Sequence, residues 1–207
     1  MPPYSPHMGG LWEAGVKSMK YHLRWVVGKA TLTYVEFSTL LCQVEAILSS
    51  RPICSLSTNP EHLQVLTPGH FLIGTSLLAL PDHNLKDVSL NHLSKWLCVQ
   101  QMIQRLWKQW SQDYLHQLQQ RHKWRNIQPN VKIGELVLVK EDNLPPLVWK
   151  KAMISDLHPG KDGLTRVVTL KTSTGTLKRP ITKICLLPQV ELGGIIVIFF
   201  CKCMLFL

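Results

Sequence analysis

A single acidic residue near the start of the sequence is followed at helical spacing by two lysines. Glu13 comes shortly after two glycines, and Lys17 and Lys20 follow four and seven residues later. At 3.6 residues per turn these offsets place all three side chains on one face of a helix. Such a group could be one ligand of a metal-assisted phosphoryl-transfer site with ammonium groups that hold phosphates, or a solvated ion-pair stripe. The spacing alone favours the solvated stripe.

A second group of residues combines tryptophans with many cations. Basic side chains neutralise phosphates and release counterions, and aromatic faces stack on unpaired bases. Two alternatives stay open: the tryptophans are core anchors, which we favour, and the cations form a simple solvated face. The tryptophans are Trp107, Trp110, Trp124 and Trp149, and the cations are Lys108, Arg121, Lys123, Arg125, Lys150, Lys151, Arg166, Lys171, Lys178, Arg179 and Lys183.

The distribution of charge points to the same half of the chain. Residues 1–90 carry 6 Lys/Arg and 6 Asp/Glu, whereas residues 91–188 carry 16 and 6. A cation excess confined to one part of a chain favours a polyanionic partner, with nucleic acid preferred over a membrane surface. The length of 207 residues allows one or two domains, and 45% hydrophobic residues exclude a wholly disordered chain.

Two other patterns predict no catalytic or metal site. His158 and Asp162 could be a general base and its orienting group, but the glycines around them indicate a hairpin turn without a nucleophile. The six cysteines contain no CxxC pair, and no histidine lies at zinc-finger spacing from two of them. We therefore predict no Cys/His metal site, no disulfide framework, and a nuclear or cytoplasmic protein rather than a secreted one.

Periodicity predicts the elements that position these residues. Apolar residues return at helical intervals over 11–27, and Thr33 with Glu36 forms a capping box that starts a second helix ending before Pro52. Residues 52–91 read as a linker with one short helix near Phe71. A long amphipathic helix over 91–125 should pair with another helix or bridge domains. Five short period-two segments then predict a small barrel, at 135–140, 151–154, 164–170, 176–179 and 183–187.

Several segments resemble the integrase of Pao/Bel-type long-terminal-repeat retrotransposons. Residues 3–18, PYSPHMGGLWEAGVKS, resemble the end of the catalytic core, and residues 67–74, TPGHFLIG, resemble the motif that closes it. The basic half resembles the integrase C-terminal domain through Trp107 to Trp124, GELV at 134–137, HPGKDG at 158–163, and Arg179-Pro180 onward. The resemblance covers about residues 2–188.

The resemblance implies an α+β chain in which helices from the end of a truncated ribonuclease-H-like core precede a long helix and a small SH3-like β-barrel. The implied domains are a core remnant at 1–75, a linker at 76–90 and a basic C-terminal domain at 91–188. The tail at 189–207 is expected to lie outside the fold, and its apolar run at 195–207 is too short, at thirteen residues, to span a bilayer.

The resemblance also assigns roles to residues. Glu13 matches the last of three carboxylates that hold two divalent metals, Mg2+ or Mn2+, and Lys17 and Lys20 match a DNA-binding face. The two aspartates have no counterpart, since no acidic residue precedes Glu13. We therefore expect no catalysis and no cofactor for this chain alone. The expected partner is DNA, bound with little sequence preference, with integrase-type self-association but no membrane and no small-molecule substrate. A protein-interaction module and a non-functional relic are the alternatives.

Overall fold

The computed structural model describes residues 10–56, 63–77, 83–85, 88–89, 94–119 and 130–188, apart from the side chains of residues 10–15 and 18. Trp124, its neighbouring cations and the tail at 189–207 lie outside these ranges. The helices are α1 (Gly10–Val27), α2 (Tyr34–Ser49), α3 (Pro68–Ile73) and α4 (Lys95–Leu118). The strands are β1 (Cys54–Ser55), β2 (Val65–Leu66), β3 (Leu136–Val139), β4 (Lys151–Pro159), β5 (Thr165–Thr172), β6 (Gly175–Pro180) and β7 (Ile184–Leu186).

Local signals decide where the first two helices begin and end. The capping box is present: the Glu36 amide donates to Thr33 Oγ1 at 3.4 Å, and the Thr33 amide donates to Glu36 Oε2 at 2.8 Å. α2 then ends at Ser49, ahead of Pro52, as predicted. α1 ends at Val27, where Gly28 takes a positive φ of 55°. Both helix predictions are confirmed.

The long helix is confirmed in place but is shorter than predicted. α4 begins after Ser94, whose Oγ accepts from the Leu97 amide at 3.4 Å, and its last helical residue is Leu118. The side-chain amide of Gln119 donates to the carbonyl oxygens of Thr182 and Ile184, at 2.8 and 3.0 Å. This bond to the sheet accompanies an extended backbone at Gln119, so a tertiary contact marks the helix end.

Of the two alternatives predicted for the long helix, the structure shows pairing with other helices. α1 and α2 both pack on α4, which buries one continuous apolar cluster. The apolar faces of α1 and α2 are therefore covered by α4. The cluster contains Val26, Leu40, Val44 and Ile47 from the first two helices, and Val99, Met102, Ile103, Leu106, Trp107, Trp110 and Tyr114 from α4.

Four aromatic rings join α4 to the segment before β4. Trp149 lies 4.8 Å from Trp107, 6.0 Å from Trp110 and 5.6 Å from Tyr114, measured between ring centroids. The polar group of Trp107 is also satisfied, since its Nε1 donates to the Leu144 carbonyl at 3.1 Å. Tilted and edge-on rings at these distances stabilise a core beyond their burial. The interpretation of the tryptophans as core anchors is thus confirmed for these three tryptophans.

All five predicted strands of the basic half are present. They form one antiparallel sheet in the order β6-β5-β4-β3-β7, with β6 and β7 at its two edges. β4 extends to Pro159, further than predicted, because His158 and Pro159 pair with β5 before the turn begins. Because the edge strands β6 and β7 do not pair with each other, the sheet is open rather than a closed barrel, and the chain is α+β.

The two faces of the sheet are buried differently. One face encloses its own apolar cluster: Val137, Val139, Ala152, Ile154, Val168, Leu170 and Ile184. On the other face, side chains of β3 and of the segment around β7 pack against Leu115 of α4 and Val65 of β2: Leu136, Leu138, Cys185 and Leu187. The same second face is exposed farther along, at β5 and β6.

The predicted linker holds more structure than its composition indicated. Its short helix is confirmed as α3, but the β1–β2 pair is not foreseen, because two-residue strands have no readable period. Two buried glutamines of α4 hold a later part of this segment. Gln101 Nε2 donates to the carbonyls of Leu85 and Val88, at 2.6 Å each, and Gln104 Oε1 accepts from the Leu85 amide at 2.9 Å.

The contact between α4 and the sheet predicts thiol reactivity. Cys185 Sγ donates to the Leu115 carbonyl at 3.2 Å, and burial raises the pKa of this thiol from its ordinary 9.0 to about 11. We expect alkylation at pH 8 to modify exposed Cys42 rapidly and Cys185 only after unfolding. Peptide mass mapping measures both sites in one sample. Equal rates at Cys42 and Cys185 in the native protein would contradict the packing.

The same thiol contributes a pH dependence of stability. The unfolded chain loses the Cys185 proton at lower pH than the folded chain. The protonated thiol therefore contributes its full share to the free energy of unfolding below about pH 9, and this share is lost as the pH rises towards 11.

Candidate nucleic-acid interface

Two exposed lysines lie close together on one face of the sheet. The β5–β6 register places Lys171 opposite Thr176 and Thr169 opposite Lys178. Residues directly opposite each other, and those two positions along, share a face of an antiparallel pair. Lys171 and Lys178 are therefore diagonal neighbours, about 7–8 Å apart at the usual spacing. This is the spacing of their backbone positions, and the flexible side chains can bring the two ammonium groups to successive phosphates of one strand.

The neighbouring strand continues this surface with polar side chains. Asp156 lies opposite Thr169, and His158 lies opposite Val167. The imidazole Nε2 of His158 is 2.8 Å from Thr169 Oγ1, which ties β4 to β5 on the exposed side. We call this outward surface the strand face, defined by Asp156, His158, Val167, Thr169, Lys171, Thr176 and Lys178.

The charge around the strand face is mostly positive, and Asp156 is the acidic member of the face itself. Residues 163–188 hold five Lys/Arg and no Asp/Glu. Within the part of the chain that the structure describes, the ion pairs are Lys150 with Glu141, at 2.6 Å, and Arg166 with Asp162, at 2.5 Å. Lys171 and Lys178 belong to neither pair, so their charges remain available to an anion.

The predicted binding residues on the remaining strands separate into different environments. Lys150 is neutralised by Glu141, and Lys151 lies half-buried opposite Leu138, where burial lowers the pKa of its ammonium group. Arg166 lies beside the β4–β5 turn, and its hydrogen bonds hold the pKa of Asp162 below the ordinary value. These three cations are less suited to phosphate contact than the strand-face lysines.

Arg179 and Lys183 lie apart from the strand face. Successive residues of a strand point to opposite sides, so Arg179, opposite Val168, points away from the face that carries Lys178. Its Nη1 donates to the Lys178 carbonyl at 3.3 Å. Lys183 is exposed in the 3₁₀ turn Ile181–Lys183 between β6 and β7. The predicted cation set is therefore not a single patch.

The predicted residues of α1 are only partly described. Lys17 and Lys20 are exposed on α1, as a DNA-facing role requires. The backbone of Glu13 lies in α1, but its side chain is outside the description, so its role as a vestigial carboxylate stays a prediction. Among the described residues, no three His, Cys, Asp or Glu side chains gather into a metal-binding group.

The His158–Asp162 pattern is a turn, as favoured from the sequence. The Gly163 amide donates to the Gly160 carbonyl at 3.0 Å, and Gly163 takes a φ of 74°. Asp162 pairs with Arg166, while His158 bonds to Thr169, so the two do not form a base and orienter. His158 and Thr169 are not placed on the strand face in the sequence analysis. For Thr169 the period-two alternation of β5 does predict this position, because it puts Thr169 on the same side as Lys171.

These elements define an α+β chain in which one long helix precedes an open five-stranded antiparallel sheet. Residues 94–187 are similar to a family of unknown function (DUF5641). The matched segment begins at the N-cap of α4 and ends one residue after β7, so the similarity includes helix and sheet together. No curated protein matches the chain, and no solved structure matches it. No helix within the described residues is long and apolar enough to cross a membrane.

Proposed function

We propose that this chain is the C-terminal part of a Pao/Bel-type retrotransposon integrase and binds DNA with little sequence preference. The observation that carries the proposal is the strand face, where Lys171 and Lys178 are exposed and free of the described ion pairs. Contacts to phosphates position a protein on DNA but do not read sequence. Lysines without an array of base-reading side chains therefore favour DNA binding that depends on charge.

We propose that the five-stranded sheet is an SH3-like barrel and that residues 1–75 are a remnant of a ribonuclease-H-like core. Two features support a barrel that is incompletely closed: β7 returns to pair with β3, and one face of the sheet carries its own buried apolar cluster. The helices α1 and α2 pack on α4. In this proposal α4 therefore takes the place of the sheet on which such helices would otherwise pack.

We also propose that the chain by itself has no catalytic activity. An in-line phosphoryl transfer needs two cations held about 3.5–4 Å apart, and Mg2+ demands nearly octahedral oxygen ligands. Glu13 by itself cannot hold two ions. Purified chain incubated with element-end DNA and Mg2+ or Mn2+ should give no joined product. A product that disappears in Glu13→Gln would overturn this part of the proposal.

The salt dependence of binding tests the DNA proposal. The logarithm of the association constant for duplex DNA should fall linearly with the logarithm of salt, with a slope of about −0.9 for each phosphate neutralised. Fluorescence anisotropy with two duplexes of unrelated sequence measures the slope, and both should give the same line. A flat isotherm, or no binding at low salt, would exclude the proposal.

A protein-interaction module is the second candidate, and one observation favours it. α2 and α3 expose Tyr34, Phe71, Leu72 and Ile73. A group of neighbouring exposed apolar side chains, such as Phe71, Leu72 and Ile73 of α3, is typical of protein contacts. Binding through them would be insensitive to salt, which separates this candidate from the DNA proposal in the same titration.

A further inference from the structure

The two edges of the five-stranded sheet differ in what covers them. At the β7 edge, both backbone groups of Ile184 already have partners. Its amide donates to the Ile181 carbonyl in the preceding 3₁₀ turn, and its carbonyl accepts from the side-chain amide of Gln119 at 3.0 Å. Just beyond this strand, the Ser55 amide of β1 donates to the Pro188 carbonyl at 3.3 Å. Contacts within the chain therefore block this edge.

The β6 edge presents backbone groups that β5 does not use. Thr172 and Gly175 pair across a two-residue turn, the geometry in which the closing pair exchanges both hydrogen bonds. In an antiparallel pair such residues alternate with residues whose amide and carbonyl point away from the partner strand. Thr176 and Lys178 hold these outward positions, and Pro180 follows with a carbonyl but no amide.

Most of these outward groups are uncovered in the part of the chain that the structure describes. There, the amide and carbonyl of Thr176 and the amide of Lys178 form no hydrogen bond outside the strand ladder. The Lys178 carbonyl accepts from Arg179 Nη1 at 3.3 Å. A guanidinium held by one long bond to a neutral carbonyl can exchange it for a stronger bond to a carboxylate. The β6 edge can thus accept a further strand.

The charge of β6 selects the kind of strand that can pair with it. Lys178 and Arg179 are successive residues, so their side chains stand on opposite faces of the sheet. A second copy of this chain that paired along the same edge would place Lys178 opposite or diagonal to the same lysine, and like charges so placed are destabilising. A strand with two adjacent acidic residues would meet Lys178 on one face and Arg179 on the other.

We propose that the β6 edge binds an extended acidic peptide by strand addition. Main-chain bonds to Thr176 and Lys178 supply affinity, and carboxylates beside Lys178 and Arg179 supply selectivity. Leu177 packs at the margin of the sheet's apolar cluster, so a β-branched residue opposite it would extend that cluster. This site takes a protein segment, and it does not depend on the proposed DNA binding.

Thr176→Pro tests strand addition, because proline removes an outward amide at a sheet edge and leaves the β5 ladder and every charge in place. Thr176→Ala is the matched control, which keeps the amide. The probe is a fluorescein-labelled peptide of sequence SVTVEEVTVS, and anisotropy with the full chain gives its affinity. We expect Thr176→Pro to weaken binding about tenfold or more and Thr176→Ala to change it by less than about threefold. Loss in both variants, or in neither, would overturn the inference.

Backbone methylation of the peptide gives a second test, in which the protein is unaltered and misfolding cannot imitate the result. Two peptides carry N-methyl groups at alternate residues, one in each phase, so that only one of them blocks the amides that face β6. One should bind like the unmethylated peptide, and the other about tenfold or more weakly. Equal affinities of the two methylated peptides would contradict strand addition.

Two further measurements decide between this peptide and other occupants. A peptide with both glutamates replaced by lysine should bind about tenfold or more weakly, and equal binding would show that charge does not select the strand. Sedimentation of the chain alone reports whether a second copy uses the edge. A dimer that is lost in Thr176→Pro but kept in Thr176→Ala would assign the β6 edge to self-association and overturn the inference.

Discussion

Replacing Trp107 by alanine is expected to lower the free energy of unfolding by about 3–5 kcal/mol. The side chain is only 2% exposed, contacts the rings of Trp110 and Trp149, and donates to the Leu144 carbonyl. Its loss would leave a cavity between α4 and the segment before β4, together with an unpaired carbonyl. Since a domain is stable by only about 5–15 kcal/mol, this is a large share of the total. Equilibrium urea unfolding measures the change.

Trp96 offers a control on the same helix. It is 54% exposed, so Trp96→Ala removes the same side chain from α4 without a cavity and should cost less than about 1 kcal/mol. Trp107→Phe keeps most of the ring packing but loses the donor, and its cost should fall between the two. Equal losses for Trp96→Ala and Trp107→Ala would show that the aromatic cluster is not the joint between helix and sheet.

Reversing the two strand-face lysines is expected to produce the largest functional effect. Lys171→Glu/Lys178→Glu should weaken duplex binding about 10- to 100-fold at low salt and make the salt slope shallower by about 2. The reason is that two phosphate contacts are lost and two repulsive charges are added. The weakening should be the same for unrelated sequences, because these contacts are to the backbone.

A control of equal charge separates a local contact from general electrostatics. Lys132→Glu/Lys161→Glu changes the net charge by the same amount, and both side chains are exposed outside the strand face. It should weaken binding by only a few-fold. Arg179→Glu changes a charge on the opposite side of β6. Its effect on DNA binding can therefore be compared with that of a change on the strand face. Equal weakening by both double variants would mean that the whole basic surface binds DNA and the strand face has no special role.

The ion pairs change how the basic half should be understood. Lys150 and Arg166 contribute to the cation excess of the sequence, but each has its own carboxylate. Surface ion pairs of this kind contribute little to stability, yet they reduce the charge that a phosphate meets. The DNA-binding surface that we propose is consequently smaller than the count of Lys and Arg indicates, and we place its centre at Lys171 and Lys178.

Local sequence determined the elements of this protein. The start of α2 follows from a hydroxyl and a carboxylate three residues apart, which satisfy each other's amides without help from the rest of the chain. The five strands follow from period-two alternation, and the turn at Gly160–Gly163 follows from its glycines. The cation excess that motivates the DNA proposal is also a property of the sequence alone.

Tertiary structure decided where these elements end and which cations remain free. Nothing near Gln119 predicts that its amide will bond to carbonyls more than sixty residues away, and this contact accompanies the end of α4. The partner of Lys150 and the burial of Lys151 depend on how strands register. Propensity and period act over a few residues, whereas register and docking are set by contacts between distant segments, so the site emerges only in the folded chain.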